Sequence, residues 1–461
     1  MNRREFTLSL AAAALASRAT FAQDPAASLS IDLAASGPAI PLDFTGLSYE
    51  SAQLANPAFF SAANTALIDL FRGLGAQGVL RIGGGTSEFT TFTTTEPTGP
   101  PPFEVFGPDT SKTAKKGTLV TPAALRNLRA FLDATNWRAL YGLNAGQGTA
   151  ANAAEEAFYV HQILGPRLIA FQIGNEPDSW RNRYRPSTWT YPDYFKQWQA
   201  FHAAIVARVP GAKFAGPDVS NKLPYVAGFA ADAHAYPDIV LLTSHYYAMG
   251  PAGSPKSTLE KLLDPNPKLA ADLVTIMQAA RSAHLPYRMS EGNSCWDGGK
   301  PGVSDTLASA LWCADMMLQF AQAGAVGVNL HGGGNGFYTP IAGSISSGFT
   351  RRPEYFGMQF AGHFSGSTLL NTTFNSPSKR VTAYAALKDG RRQIAIINKD
   401  AAPIAVSMPH ALPRHGHAEC ITLAGAALDQ KETTLSGPAP AKKFDPGHFQ
   451  VPAHSAIMLR V

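Results

Sequence analysis

Short apolar segments recur between residues 44 and 330, separated by polar or helix-like stretches. Eight of them have the length and turn-residue boundaries of β-strands: 44–49, 78–82, 140–144, 168–173, 213–217, 239–246, 287–290 and 325–330. One helix-like stretch has Ser304 or Asp305 as its predicted N-cap and ends at Gly324. Strands alternating with helices in this number predict a (β/α)8 TIM barrel. An open doubly wound sheet is the alternative, but it would usually carry a glycine-rich phosphate turn after its first strand, which is missing here.

After residue 353 the alternation of predicted strands and helices gives way to successive predicted strands. Two strand-like segments, 381–387 and 393–398, flank Asp389-Gly390 and predict a hairpin with a two-residue turn. Further strand candidates are 404–408, 419–423 and 456–461. We therefore predict a barrel domain at 41–352 and an antiparallel β-sandwich domain at 353–461. An N-terminal strand at 28–32, within the segment 23–40, is predicted to join the second domain.

The first 22 residues have the pattern of a signal peptide, with Arg3-Arg4, a short apolar run and small residues up to Ala22. The arginine pair followed by Glu5-Phe6 resembles a twin-arginine signal, which predicts a periplasmic or secreted protein. A buried N-terminal helix is the alternative. The apolar run is about half of the roughly 20 residues that a membrane span requires, so no membrane anchor is expected.

Charge and cysteine content narrow the classes of partner. The formal net charge is +5, and it falls to +3 without the charged residues of the leader. This bias is compatible with an acidic substrate and too weak to predict nucleic-acid binding. Cys295, Cys313 and Cys420 have no disulfide-framework or metal-type spacing, and the histidines are scattered without an HExxH motif. We predict no metal and no cofactor, and the oligomeric state is left open.

Two glutamates stand at the ends of predicted barrel strands. The segment 171–177 (FQIGNEP) stops at Pro177, which places Glu176 at a C-terminal strand end, and the strand from Tyr287 ends at Glu291. The C-terminal ends of barrel strands carry the catalytic residues of this fold. Two facing carboxyl groups can cleave a glycosidic bond, one as general acid and base and the other as nucleophile. Either glutamate alone would more often be a solvated strand end.

The sequence resembles glycoside hydrolase family 79, the heparanase and β-glucuronidase family of the 4/7 barrel superfamily. Four segments carry the resemblance: 80–86 (LRIGGGT), 174–177 (GNEP), 245–247 (HYY) and 291–306 (EGNSCWDGGKPGVSDT). The resemblance implies that Glu176 is the acid and base and that Glu291 is the nucleophile.

Further roles are implied for residues around this pair. Asn175 would bind the sugar 2-hydroxyl, Tyr247 would orient the nucleophile, Arg81 would keep it ionised, and Glu50 would bind sugar hydroxyls. Each position also has a structural alternative: a turn-stabilising Asn, a packed aromatic ring, a structural ion pair or an ordinary strand-end Glu.

A uronic acid also requires recognition of its carboxylate. The backbone N–H groups of Gly298 and Gly299 could form an anion-binding nest, with Lys300 adding charge, or this turn could be a flexible loop. Tyr338 resembles a family residue near the carboxylate, and His331 ends the eighth strand facing the pocket or as an ordinary rim residue.

Two positions depart from the family pattern. Trp296 stands where relatives commonly have Tyr, and it could still contact a carboxylate through its indole N–H. Asp297 adds a negative charge close to the expected carboxylate site. The sequence predicts a retaining exo-β-glucuronidase acting on β-linked uronic-acid glycans or glycosides. An endo-acting heparanase-like enzyme and a non-catalytic carbohydrate-binding protein are the alternatives, and the loop at 90–116 is expected to decide between exo and endo action.

Overall fold

The computed structural model describes residues 26–220, 222–408, 418–441 and 445–461 of the 461-residue chain. The predicted signal peptide at 1–22 lies outside the described residues. Within the described ranges, no helix has both the length and the apolar character that crossing a membrane requires.

The described strands, numbered along the chain, are β1 Ala27–Ala39, β2 Thr45–Glu50, β3 Val79–Gly83, β4 Thr90–Phe92, β5 Thr118–Val120, β6 Arg138–Leu143, β7 Leu168–Ile173, β8 Phe214–Val219, β9 Ile239–Pro251, β10 Tyr287–Trp296, β11 Gly327–His331, β12 Ile341–Ser344, β13 Gly348–Arg351, β14 Thr368–Asn375, β15 Val381–Lys388, β16 Arg391–Asn398, β17 Ile404–Ser407, β18 Glu419–Gly425, β19 Thr433–Pro440, β20 Phe449–Val451 and β21 Ser455–Arg460. The described α-helices are α1 Thr65–Leu74, α2 Ser111–Ala114, α3 Pro122–Thr135, α4 Ala150–Leu164, α5 Tyr191–Arg208, α6 Leu223–Asp232, α7 Leu259–Leu263, α8 Pro267–Ser282, α9 Leu307–Ala323 and α10 Pro353–Gly362.

Eight parallel strands close into a barrel in the order β2-β3-β6-β7-β8-β9-β10-β11. The predicted barrel is confirmed, and each of the eight predicted strand segments supplies one of its strands. These segments are almost continuously buried, as expected for strands covered on both faces by side chains and helices. Strands β9 and β10 run beyond their predicted ends and remain paired as far as Trp296 and Pro251, which raises this part of the C-terminal rim.

The helix after β10 begins later than the sequence suggested. Its N-cap is Thr306, not Ser304 or Asp305. Ser304 Oγ instead accepts the backbone N–H of Lys300 at 2.9 Å, and Asp305 accepts that of Gly302 at 2.7 Å, so both residues stabilise the preceding turn. The predicted C-terminal end is confirmed.

Helix α10, which follows the segment predicted as barrel, packs on the barrel's helical layer. Its Tyr355 hydroxyl donates to the carbonyl of Leu70 on α1 at 2.8 Å. Gly357 lies against Ala310 of α9, where a side chain would collide with the backbone carbonyl. The helix therefore covers the barrel next to its first and last strands.

The second domain is a curled nine-stranded sheet in the order β19-β18-β21-β16-β15-β14-β1-β17-β20. The predicted participation of an N-terminal strand is confirmed, because β1 pairs antiparallel with β14 and parallel with β17. The predicted hairpin is present, with Lys388 paired to Arg391 and with φ of 51° at Asp389 and 75° at Gly390. Asp315 on α9 joins the domains, since it forms a buried ion pair with Lys399 at 2.6 Å.

Candidate active site

The backbone around Glu176 turns sharply where β7 ends. Gly174 has φ of 82°, and a side chain there would collide with Trp180. Glu176 itself has φ of 48°, a left-handed conformation that costs a non-glycine residue about 1–3 kcal/mol and often marks a functional site. Its backbone N–H donates to the carbonyl of Asp218 at 2.9 Å, which fixes this turn. The Glu176 side chain is 27 % exposed and lies at the barrel mouth.

Glu291 lies within β10 and is held from two sides. Arg81 Nη1 donates to Glu291 Oε2 at 2.6 Å, and the Tyr247 hydroxyl donates to Glu291 Oε1 at 2.9 Å. A carboxylate oxygen of Glu291 lies within 4.8 Å of one of Glu176. The fold therefore brings together two side chains that the sequence places on separate strands.

The surroundings shift the pKa values of the two carboxyl groups in opposite directions. Burial raises the pKa of Glu176 above its ordinary value; His245 opposes this rise and the charge of Glu291 adds to it. Burial would also raise the pKa of Glu291. The positive charges of His331, His245 and Arg81 outweigh burial there and lower the pKa of this carboxyl to about 2. At neutral pH the pair can hold one readily protonated carboxyl beside one firmly ionised carboxylate.

Asp218 and His245 connect the pair and had no role in the sequence analysis. Nδ1 of His245 lies 3.0 Å from Glu176 Oε1, and its Nε2 lies 3.3 Å from Asp218 Oδ1. Burial would lower the pKa of His245, but the charges of Glu291 and Asp218 raise it to about 10. The raised pKa of His245 favours its protonated form, which can donate from Nδ1 to Glu176. Asp218 directly follows the predicted strand 213–217, so the strand-end criterion that selected the two glutamates could have identified it.

Asn175 is fixed through both its side chain and its backbone. Its Oδ1 accepts from Arg81 Nη2 at 2.8 Å, and its backbone N–H donates to Glu88 Oε1 at 2.6 Å. The side-chain amide therefore has one defined orientation beside the carboxylate pair. The sequence analysis did not identify Glu88, because its hydrogen-bond partners follow other strands and are far away in the chain.

A cavity of about 400 Å³ opens at this rim. The predicted site residues that line it are Glu50, Tyr247, Glu291, Gly298, His331 and Tyr338. Glu50 accepts from the backbone N–H and the hydroxyl of Thr86 at 2.7 and 2.6 Å. His331 Nε2 lies 3.5 Å from Glu50, and the charge of Glu291 contributes to raising its pKa against the effect of burial. Six predicted residues thus converge on one space of ligand size.

The glycine turn after β10, predicted as an anion-binding nest, packs closely against a neighbouring loop. Asp297, Gly298 and Gly299 all have positive φ, between 63° and 82°, and the Gly298 carbonyl accepts the backbone N–H of Phe337 at 2.5 Å. Gly299 lies against the backbone of Tyr338, where a side chain would collide, and is not part of the cavity lining. The turn is needed for close packing between two loops.

The structure also places the three neighbours of this turn. Trp296 is 45 % exposed and is absent from the cavity lining, because it ends β10 at the open rim. Lys300 donates to the carbonyls of Ser254 and Ser257 and so fastens the loop after β9. Asp297 does line the cavity.

The segment 90–116 was expected to be one long loop, but it contains β4 and α2, and β4 pairs with β5. Its middle part is anchored to the segment after β2: Asn56 donates to the carbonyl of Glu104 at 2.8 Å, and Gln53 accepts the N–H of Phe106 at 2.7 Å. Pro108 then packs on Gly298, and the Phe106 carbonyl packs on Gly334. This segment forms one wall of the cavity, next to the loops that follow β10 and β11.

Two cations in the cavity wall were missed by the sequence analysis. Lys115 follows α2, and Arg183 lies in the loop after β7; both line the cavity and are exposed. Single charged residues in loops carry no local pattern that distinguishes them from solvated surface residues.

Glu176, His245 and Glu291 are also close enough to form a metal-ligand group, with one ligand atom each within 4.8 Å of the others. Metal binding requires a neutral histidine, whereas the pKa of His245 is raised to about 10. Arg81 adds a further positive charge on Glu291. These contacts describe a hydrogen-bonded ion network and fit a metal ion poorly.

Comparison with known proteins gives similar sequences and similar folds. A β-glucuronidase of Aspergillus niger is 26% identical over 441 residues, covering 84% of this chain and 78% of that protein. A β-glucuronidase of Neurospora crassa is 26% identical over 318 residues, covering 61% of this chain and 55% of that protein. No protein-family model matches the chain.

Solved structures agree on the fold. A 4-O-α-L-rhamnosyl-β-D-glucuronidase from Fusarium oxysporum has a TM-score of 0.73 at 17% identity and covers 94% of this chain and 99% of that chain. A family 51 α-L-arabinofuranosidase from Bifidobacterium longum has a TM-score of 0.69 at 14% identity, with 95% and 99% covered. At these identities the likeness establishes the architecture, a barrel with an attached β domain.

Proposed function

We propose that this protein is a retaining exo-β-glucuronidase of glycoside hydrolase family 79. The observation that carries the proposal is the pair of carboxyl groups of Glu176 and Glu291, within 4.8 Å of each other and with pKa values moved apart. Retaining glycosidases need two carboxyl groups about 5–5.5 Å apart, because one of them must reach the anomeric carbon directly. Inverting enzymes need a wider gap that leaves room for a water molecule.

The geometry supports a double displacement. Glu291 attacks the anomeric carbon while Glu176 gives its proton to the leaving oxygen, which forms a glycosyl-enzyme ester and releases the aglycone. Glu176, now ionised, takes a proton from water, and the hydroxide formed displaces Glu291 and releases the sugar with its configuration retained. His245 can stabilise the ionised form of Glu176 between the two steps through its 3.0 Å contact.

The surrounding residues take supporting roles in this mechanism. Arg81 and Tyr247 hold Glu291 ionised and fix its two oxygens. Asn175 presents its amide towards the 2-hydroxyl of the sugar, and Glu50 accepts from other hydroxyls in the cavity. Such contacts to the sugar strengthen as positive charge develops at the ring in the transition state.

The similarity to two β-glucuronidases supports glucuronic acid as the sugar released. The segment with Phe106 and Pro108 supports exo action, because it forms a wall of the cavity and packs on the loops that carry Gly298 and Gly334. The leader at 1–22 supports export of the enzyme.

The test is hydrolysis of an aryl β-glucuronide, compared with the matching β-glucoside and β-xyloside. We expect turnover of the glucuronide, with the β-anomer released first when the reaction is followed by NMR. Release of the α-anomer would contradict the double displacement. Hydrolysis of the neutral glycosides alone would contradict the assignment to glucuronides.

Two variants separate the roles of the glutamates. Glu291→Gln should abolish turnover with every leaving group. Glu176→Gln should reduce turnover by about 10²–10⁴-fold for a poor leaving group, the usual contribution of general acid catalysis. It should affect formation of the glycosyl-enzyme much less with an activated phenol, which needs no protonation. Identical effects of the acid variant on both substrates would contradict the assignment of Glu176.

A further inference from the structure

Two cations in the cavity lining have no acidic partner among the residues that the structure describes. Glu50, Glu291 and Asp297 bring negative charge to the cavity lining. The imidazole of His331 lies within ion-pair distance of both Glu50 and Glu291. Among the described residues, the side chain of Lys115 makes no ion pair.

Arg183 likewise has no carboxylate partner in the described part of the chain, and its guanidinium lies over the ring of Tyr184, 4.8 Å from the centroid. Such stacking leaves the edge N–H groups of a guanidinium available for a further ligand.

The residues expected to recognise an anion do not supply positive charge. The ammonium group of Lys300 is used by two loop carbonyls, and the backbone N–H groups of Gly298 and Gly299 are dipoles that carry no full charge. Asp297 adds negative charge to the same wall. An acidic sugar entering the cavity would therefore meet three carboxylates, and its own charge requires compensation from elsewhere.

We infer that Lys115 and Arg183, which line the cavity from the turn after α2 and the loop after β7, form the binding site for the anionic group of an acidic sugar substrate. This inference rests on the proposed glycosidase function and specifies its substrate class. The anionic group is either the carboxylate of the sugar being released or a carboxylate or sulfate attached to it. A guanidinium and an ammonium suit both, since both bind oxyanions strongly.

The test compares Lys115→Met, Arg183→Met and the double variant on an aryl β-glucuronide and the matching β-glucoside. Lys116→Met and Arg181→Met are matched controls, because they remove the neighbouring exposed cations that do not line the cavity. Each single cavity variant should raise KM for the glucuronide about three- to tenfold, and the double variant should raise it further. KM for the glucoside should stay within about twofold, since a neutral sugar has no charge to compensate.

Two further measurements, KM at different salt concentrations and KM for different glucuronides, test the same inference. Added salt should raise KM of the wild type for the glucuronide and have little effect on the double variant. A loss confined to glucuronides with a second acidic group would assign the site to that substituent, and a loss with the simple aryl glucuronide would assign it to the uronate carboxylate. Cavity variants that behave like the two control variants would overturn the inference.

Failure of the proposed function would be recognised separately. If the wild type hydrolyses none of the glycosides, the function is wrong, and calorimetric binding of glucuronate to the wild type and the double variant still tests the anion site. Equal affinity of both proteins for glucuronate would refute it.

A second, independent observation concerns Glu88, a carboxylate that is 1 % exposed behind the rim. It accepts the backbone N–H of Asn175 at 2.6 Å and that of Gly146 at the end of the neighbouring strand β6. Arg185 braces the same strand end through the carbonyls of Ala145 and Gly146, at 3.0 and 2.8 Å. A carboxylate from the loop after β3 thus ties the ends of β6 and β7 together.

We propose that Glu88 is a positioning residue for Glu176. It does not touch the cavity, but it fixes the peptide group between Gly174 and Asn175, one residue before the left-handed Glu176, and so constrains the turn that sets where the acid points. Displacement of a catalytic group by about 1 Å can cost about a hundredfold in rate. Glu88→Gln would retain one acceptor oxygen and would turn an amide N–H₂ towards a backbone N–H, which pushes the strand end away.

Glu156 provides a matched control. It is also a buried glutamate beside the barrel, and burial raises its pKa to about 7, as it does that of Glu88. Its carboxylate accepts from the Tyr141 hydroxyl at 2.8 Å behind β6 and has no contact with the strand ends.

We expect Glu88→Gln to lower kcat by about ten- to a hundredfold with KM within about threefold, and Glu156→Gln to lower the melting temperature without lowering kcat. Glu88→Asp, which keeps the charge, should recover part of the loss and serves if the glutamine variant does not fold. Equal kcat values for the Glu88 and Glu156 variants would overturn the proposal. The kcat and KM of each variant are compared with those of the wild type. If the wild type itself is inactive, the proposed function is contradicted and not the role of Glu88.

Discussion

Replacement of Arg81 tests how Glu291 is kept ionised. Arg81 is completely buried, donates to Glu291 at 2.6 Å and also pairs with the buried Asp218. An adjacent arginine typically lowers the pKa of a carboxyl by one to three units, and each unit corresponds to about 1.4 kcal/mol. In Arg81→Met the pKa of Glu291 should therefore rise from about 2 by one to three units.

The sign of the effect on activity follows from the role of Glu291. The nucleophile must be ionised, so the acidic limb of the kcat/KM profile should move to higher pH by one to three units. The basic limb, which reports the proton on Glu176, should move much less. The assay is kcat/KM for an aryl β-glucuronide between pH 3 and pH 8, restricted to the range in which each variant stays folded.

The stability of the same variant should depend on pH in a defined direction. Because the pKa of Glu291 in the folded wild type lies below its unfolded value, its ionised form stabilises the protein above about pH 4.3, and this stabilisation is lost as the pH falls towards 2. Removing one partner of a buried ion pair costs about 3–5 kcal/mol. The destabilisation by Arg81→Met should therefore be largest near neutrality and should shrink in acid.

Arg288 offers a matched control within the same barrel. It is also buried, and it donates to Asn329 at 2.8 Å and to the carbonyl of Asp43 at 2.5 Å, away from the carboxylate pair. Arg288→Met should lower stability and leave the acidic limb in place. If Arg81→Met gives the wild-type acidic limb, or if the Arg288 variant shifts it equally, the electrostatic explanation of the low pKa is wrong.

Four further outcomes are expected. Asp297→Asn should lower KM for a glucuronide about two- to fivefold at low ionic strength, and less at high salt, because one repelling charge in the cavity is removed. Trp296→Ala should leave KM within about twofold, because the indole faces solvent; a larger rise would restore its predicted contact with substrate. Lys399→Met should lower the free energy of unfolding by about 3–5 kcal/mol through the unpaired charge left on Asp315, and the double variant Lys399→Met with Asp315→Asn should recover part of it in denaturant titrations. A strong chelator should leave turnover unchanged, since the raised pKa of His245 disfavours the neutral form that a metal would need; loss of activity that zinc or calcium restores would contradict this.

The fold was predictable in outline because each barrel strand carries its own signal. Segments such as 168–173 are short, apolar and bounded by turn residues, so local sequence alone determines both their type and their number. The ends of β9 and β10 were not predictable, since their extension depends on pairing between Trp296 and Pro251, which are far apart in the chain. The start of α9 was misplaced for a related reason, because Ser304 is used by the preceding turn.

Strand-end position was the effective criterion for the site, and it was applied too narrowly. It identified Glu176 and Glu291, and the same criterion would have identified Asp218 after the fifth barrel strand. It could not identify Glu88 or Lys115, because neither stands at a strand end and each depends on where a loop is folded. The substrate contact of Trp296 stays a prediction, and its exposure at the open rim could not be read from the motif, since a motif position does not specify the direction of a side chain.

Glu176 and Glu291 are the same residue type, so the difference between their pKa values must come from their surroundings. Glu291 is the more buried of the two, at 7 % exposed against 27 %, yet it has the lower pKa. Burial alone would give the opposite order. The order is reversed because His331, His245 and Arg81 together place positive charge around Glu291, whereas Glu176 is opposed by the hydrogen bond and charge of His245. The division of roles is therefore set by the positions of these cations on the barrel strands, and exchanging the charges around the two glutamates should exchange their preferred protonation states.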